Sequence, residues 1–474
     1  MTKLNLLLFF LFVQIIVSAQ TEVTGSQFGT WSASNSPYLV VGDLLIPEGA
    51  ELVIEAGVIV DFQNHYTFQV DGNLFAVGTE QDSIVFTSNQ NWGGLFFNYS
   101  DGINELSFCR IENGYANGDD FPYQHGGAIK LLYAQAEVSN CFFKNNNADG
   151  MGGAIYGLGT GAQGETITWF SDCRFENNHA ATEGGAVKLT ADDNSIFLTC
   201  EFINNSCDYG GGAIMFYSAK QTQIIQCLFI GNVSTYSDGG ALLSLGDGNE
   251  FSVTNCTFFG NETIYGSGGA ICLAYADVQI TNTILYANTE AHDVGDNLYL
   301  SQAASVEVNS SNLKIPAQAT EDNFSGLNNI EVNPLFLDED NNDLHLSSNS
   351  ACIDAGIDVG LSFNGNAPDM GCYESDFTQT IKDIRESNNI ISSVYPNPFI
   401  SNVSINYQLE NDQKTELSIY DITGRLVVNL IDQSQTKGTY RIIWNGKNTK
   451  GIEQSSGIYF YKLNNKHVGR IIKQ

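Results

Sequence analysis

The sequence predicts an all-β chain, a right-handed parallel β-helix followed by a small antiparallel β-sandwich. Three observations carry this. First, two short signatures alternate between Cys109 and Asn288 with a period of about 30 residues, and a period in that range marks a stacked repeat. Second, within each period the apolar residues are spaced as on short strands, and no segment keeps helical spacing. Third, the last 80 or so residues drop the repeat for short strand-like runs separated by turn signals.

The first signature is a polar residue, cysteine, any residue, phenylalanine, two residues and asparagine. It reads Asn140-Cys141…Phe143…Asn146, Asp172-Cys173…Phe175…Asn178, Thr199-Cys200…Phe202…Asn205, Gln226-Cys227…Phe229…Asn232 and Asn255-Cys256…Phe258…Asn261. Worn copies are Cys109…Ile111 and Thr283…Leu285…Asn288. The second signature, Gly-Gly-Ala-aliphatic, starts at Gly126, Gly152, Gly184, Gly211, Gly239 and Gly268. Cysteine and phenylalanine are two apart and share one face of a strand. An aliphatic or aromatic residue stands three before each cysteine (Val138, Phe170, Phe197, Ile224, Val253). That odd spacing requires a corner, turned by the polar residue just before the cysteine. Each period therefore reads as one turn of a parallel coil, stacked on the next at about 4.8 Å. Like residues then form ladders, and no turn is stable alone. The two signatures resemble the passenger repeats of the chlamydial polymorphic outer-membrane proteins, over roughly residues 109–290.

Taken in order, residues 1–19 read as a secretory signal. Lys3 supplies the positive region, Leu4 to Val17 the apolar stretch, and Val17-Ser18-Ala19 a small-residue cleavage site. The apolar run is too short for a membrane span, and no other candidate span follows. Residues 20–375 are assigned to the β-helix. Its N-terminal coils occupy 20–108, with 20–36 a polar lead-in and strands from Tyr38 onward, such as Leu44-Leu45-Ile46 before the turn Pro47-Glu48-Gly49. This part is similar to the first coils of bacterial surface β-helix proteins. The regular repeats fill 109–288, with longer polar excursions at 114–125 and 157–165, where loops would most readily carry a binding site. The repeat degrades over 289–375. Asn333-Pro334-Leu335-Phe336, Leu344-His345-Leu346-Ser347 and Ile353-Asp354-Ala355-Gly356 there resemble the closing coil of bacterial right-handed β-helix proteins. Residues 376–392 are polar and read as a linker.

Residues 393–474 show strand-like runs at 403–408, 416–420, 426–431, 440–444, 458–463 and 468–472, a spacing that suggests a small sandwich. They carry Tyr395-Pro396-Asn397-Pro398-Phe399, Tyr420-Asp421…Gly424-Arg425-Leu426-Val427, Trp444-Asn445-Gly446 and Ser456-Gly457-Ile458-Tyr459. In combination these resemble the C-terminal sorting domain of type IX secretion in Bacteroidota. Tyr395, Pro396, Asn397, Pro398, Gly424, Gly457 and Tyr459 match its motif. The resemblance implies the type IX secretion machinery as partner. It also implies periplasmic transit to a secreted or cell-surface location, usually with removal of the tail at the surface.

The formal net charge is −33, and twelve of the twenty Lys and Arg fall in residues 376–474. So acidic a body argues against nucleic acid and anionic lipid, and leaves divalent cations or neutral glycans as partners. Of the ten cysteines, six form the ladder and read as buried thiols acting as small hydrophobes. Cys352 and Cys372 are candidates for a disulfide across the end of the coil.

Candidate chemistry is sparse. The residue after each Gly-Gly-Ala-aliphatic unit should point outward: Lys130, Tyr156, Lys188, Met215, Leu243 and Cys272. Lys130, Tyr156 and Lys188 would suit a glycan by stacking and hydrogen bonding, set against an ordinary solvated or loop-covered face. Asp119, Asp120, Asp149, Glu183, Asp208 and Asp238 precede the glycines. They read as solubilising turn residues, with a calcium site, a paired-carboxylate hydrolase site or, with a lysine, a polyuronate lyase site as alternatives. Asp338 to Asp343 is acidic but lacks the glycine and glutamate of a helix-loop-helix calcium loop. No catalytic residue, metal ligand or cofactor is assigned. The expectation is a non-catalytic, adhesin-like or glycan-binding scaffold facing host or neighbouring cells, with a carbohydrate-active enzyme as the alternative. Fold cannot choose between them.

Overall fold

The computed structural model describes residues 20–474 apart from 101, 103, 160–167, 192–194, 247, 291–296, 317–318, 321, 376–388, 396, 398, 410, 422–424, 465–466 and 474. The signal-peptide assignment lies outside the described residues, as does most of the linker.

Each regular turn of the coil contains four short strands. In the turn that begins at Ala136 they are Ala136–Ser139, Phe142–Lys144, Asn147–Ala148 and Ile155–Leu158. Each strand pairs in parallel with its counterpart one turn on, for example Phe143 with Phe175 and Ala148 with Ala180. The expected corner before each cysteine is present. Asn140, Asp172, Thr199, Gln226, Asn255 and Asn282 all have φ between 50° and 54°. Asn and Asp, at four of these six corners, tolerate that left-handed geometry best; Thr199 and Gln226 are held in it by the stack. A second left-handed residue precedes each ladder asparagine, at Asn145, Asn177, Asn204, Gly231, Gly260 and Ala287.

Stacking at constant register turns inward positions into ladders. The phenylalanine rings of 143, 175, 202, 229 and 258 lie 4.3–4.8 Å apart with interplanar angles of 5° or less. The asparagines form a buried polar ladder. Asn205 Nδ2 donates to Phe175 O (3.0 Å) and to Asn232 Oδ1 (3.0 Å), and its own Oδ1 accepts from Asn178. The thiols are more than small hydrophobes, because the backbone N–H of Cys200 points at Cys227 Sγ (3.4 Å) and that of Cys227 at Cys256 Sγ. Thr283 and Ser311 continue this row with hydroxyls.

Three expectations need correction. Residues 20–36 are not merely a lead-in: Thr21–Ser26 and Gly29–Trp31 are coil strands, paired with residues 38–45 and 52–54. The anticipated Cys352–Cys372 disulfide is absent, and both thiols are free. Met370 N donates to Cys352 O, Gly371 N to Asn282 O and Cys372 N to Thr257 Oγ1, so the chain carries Cys372 away onto an earlier coil. Finally, the strand Asn389–Tyr395 starts inside the presumed linker and pairs antiparallel with Val403–Leu409.

The C-terminal unit is the expected small antiparallel assembly of a three-stranded and a four-stranded sheet. Its core holds Phe399, Val403, Ile405, Tyr407, Leu417, Ile419, Trp444, Tyr459, Tyr461 and Leu463.

Candidate functional site

The outward row after the Gly-Gly-Ala units is in register, Phe96–Lys130–Tyr156–Lys188–Met215–Leu243–Cys272. It faces away from the coil interior yet is not exposed. Lys130 is 0% accessible, Lys188 2% and Tyr156 5%, so of the readings offered for this row the structure has the loop-covered face and not an open lysine–aromatic stripe. Part of the covering comes from the excursion before Gly126. Tyr123 packs edge-on against Phe96, and His125 stacks on Tyr156 at 4.6 Å with Phe121 against both. Lys130 Nζ donates to Gly93 O (2.6 Å) and Gly126 O (3.0 Å). Burial lowers its pKa to about 7. Lys188 Nζ pairs with Glu183 Oε2 at 2.8 Å and also contacts the Met215 sulfur; burial lowers its pKa although Glu183 opposes the shift. His125 is pushed down to about 4, by burial first and then by the two lysines, while its Nδ1 accepts from Met151 N (2.9 Å). This cluster is a satisfied interior layer. The lysine of the lyase alternative is sealed from solvent.

The acidic residues before the glycines do not converge. Glu183 is committed to Lys188, Asp149 accepts from Tyr115 Oη (2.8 Å), and Asp238 accepts from Ser267 N (2.8 Å). Among the described residues, no three His, Cys, Asp or Glu side chains gather where one metal ion could be held.

What does lie open is a row that the sequence reading passed over. Tyr209, Tyr236 and Tyr265 are 53, 57 and 64% exposed, one per coil. Their ring centroids are 5.7 and 5.8 Å apart, and the last pair is parallel within 5°. The signal was available: each tyrosine stands four residues after a ladder asparagine, at Asn205, Asn232 and Asn261. A second open pair, Tyr99 and Tyr133, stacks at 5.1 Å at another corner.

A groove of about 570 Å³ runs beside the C-terminal unit. It is lined by outward residues of successive coils, including Gln223, Glu250, Ser252, Asp277, Gln279 and Glu307, and by Ser455 and Ser456 of the tail. Carboxylates, amides and hydroxyls dominate, and among the described residues no basic side chain lines it.

Of the tail motif, Pro396, Pro398 and Gly424 lie outside the described residues, and Tyr395 belongs to the first tail strand. Asn397 Oδ1 accepts from Ile472 N (2.7 Å), which ties the motif to the last strand. Tyr459 packs edge-on against Trp444 and donates to Ser455 O (2.7 Å). Gly457 has φ +152°, a conformation that L side chains rarely adopt. These contacts hold Asn397 and Tyr459 in the tail's own framework.

Comparison with known families agrees with both units. Residues 56–289 match the family described as right handed beta helix region, and residues 393–474 match the secretion system C-terminal sorting domain. No curated protein matches the chain.

Proposed function

From a chain that pairs a right-handed β-helix with a type IX sorting tail, and is thereby exported to the cell surface or extracellular space, we propose a non-catalytic, adhesin-like scaffold that binds glycans. The observation that supports this reading is the exposed tyrosine row Tyr209–Tyr236–Tyr265. Exposed tyrosines present apolar ring surface and hydroxyls together, the combination that suits a sugar's C–H face and its hydroxyls. The coil fixes their backbone spacing, and each ring rests against the next, which limits the side-chain entropy left to lose on binding. The acidic body disfavours polyanions, so neutral glycans are the ligand class.

The test is binding of the full chain to an immobilised panel of neutral and acidic glycans, beside assays for polysaccharide cleavage. Binding to neutral glycans that falls about tenfold or more in Tyr236→Ala, about 1.4 kcal/mol, supports the reading. Turnover of any polysaccharide, or binding indifferent to all three tyrosines, refutes it.

A further inference from the structure

The sheet that contains Ala136–Ser139 has one face to the coil interior and one outward. Its outward positions are polar on most coils: Glu105 and Glu137 on one side, Gln223 and Ser252 on the other. Between them, in the same register, stand Trp169 and Ile196. The neighbouring outward row repeats the interruption. It runs Ser139, Ser171, then Leu198 and Ile225, then Thr254. Four large apolar groups on the outside of a coil have no use in its core.

The C-terminal unit shows the complementary anomaly. Strand Gly457–Leu463 sends Tyr459, Tyr461 and Leu463 into its own core. The alternate residues, Ile458 and Phe460, together with Ile472 directly opposite Ile458, point away from that core. A free sandwich would leave them in water. In the structure the two sets close on each other. Trp169, Ile196, Leu198 and Ile225 pack with Ile458, Phe460 and Ile472, and Val359 and Leu361 of the closing coil complete the cluster. Lys462, next in the same alternation, pairs with Asp358 of the closing coil at 2.6 Å. A Cβ at Gly360 would meet the Phe460 side chain at 3.2 Å.

We propose that the Trp169–Ile225 patch is a built docking site for the chain's own C-terminal unit. The tail is seated on the coil, not carried free on its linker, and it keeps this patch dry. The occupant is the Gly457–Leu463 face and no outside partner. The matched apolar interruptions on both units, each useless to its own core, carry the assignment. The Asp358–Lys462 pair fixes its orientation. It is independent of any glycan binding.

Zero-length carbodiimide coupling of the full chain tests this, because it joins a carboxylate to an amine only where the two already touch. Asp358 and Lys462 should be recovered as one cross-linked peptide from the monomer band, with a yield unchanged on dilution. Lys144–Glu176 within the coil (2.9 Å) and Lys414–Asp432 within the tail (2.8 Å) report, in the same digest, that each unit is folded. In Ile196→Gln the 358–462 product should fall about tenfold with both controls kept. Phe460→Gln makes the same measurement from the tail side should the coil variant misfold. The proposal is overturned if the wild-type chain gives both controls but no 358–462 product. It is equally overturned if that product appears only in a dimer band, where the tail would be seated on a second copy, or if both variants retain it.

Discussion

Single residues in this protein matter through what is stacked on them. Removing the Asn205 side chain leaves Asn178 N without its acceptor and Asn178 Nδ2 with only Phe143 O, and takes a donor from Phe175 O and Asn232 Oδ1, all in a dry interior. Leaving buried polar groups unsatisfied is the costly side of hydrogen bonding, so Asn205→Ala should lose roughly 3–5 kcal/mol by urea denaturation. Lys130 gives a pH signature. In the fold its amine is neutral above about pH 7, whereas in the unfolded chain it holds its proton to about pH 10.4. Below the folded value both states are charged and the burial penalty is full. Between the two values unfolding takes up a proton, so stability rises with pH by at most about 1.4 kcal/mol per unit. Wild type should therefore gain on Lys130→Met from pH 7 to 10 in paired melts, because the other titrating groups are common to both. The ladder residues were legible in the sequence because their spacing alone puts them inside. The burial of Lys130 was not. Strand alternation correctly turned it away from the coil interior, but part of the cover over its row comes from Phe121–His125, which no local pattern ties to that row.

At the level of the strand and its turns, the paired glycines have two separate causes. Gly211 has φ +69°, which a side chain would strain. Gly212 does not, but a Cβ there would lie 2.1 Å from Gly240 O and 2.6 Å from Val233 N, both backbone atoms. Gly212→Ala must therefore push neighbouring turns apart and should cost about 3 kcal/mol or more in thermal or chemical melts. The thiol row makes a second prediction. Burial drives the Cys141, Cys173, Cys200 and Cys227 thiols well above their ordinary range, and Cys207 and Cys372 up to about 12. Since the thiolate is the reactive form, native protein at pH 8 should resist a thiol-specific reagent until denaturant exposes all ten cysteines. The corners were readable from an odd spacing between apolar residues. The tail strand Asn389–Tyr395 was not, because its register is set by a partner on the far side of a turn and not by its own composition.

For the whole molecule, regular turns that rest on their immediate neighbours and a tail seated on three of them have different consequences for truncation. Stability in such a stack is close to a sum of turns and their interfaces, so shortening one end leaves the remaining turns able to stand. The tail is different, for its loss removes the export signal and uncovers Trp169, Ile196, Leu198 and Ile225 at once. A chain ending before Asn389 should remain in the periplasm in cell fractionation, while the full chain reaches the surface. The retained coil should self-associate, and Ile196→Gln should reduce that association without restoring export. The two effects must separate, since one depends on recognition of the tail and the other on apolar area left in water. Surface delivery of the truncated chain would contradict the sorting role. A monomeric truncated coil would show that the patch is too small to act without its tail.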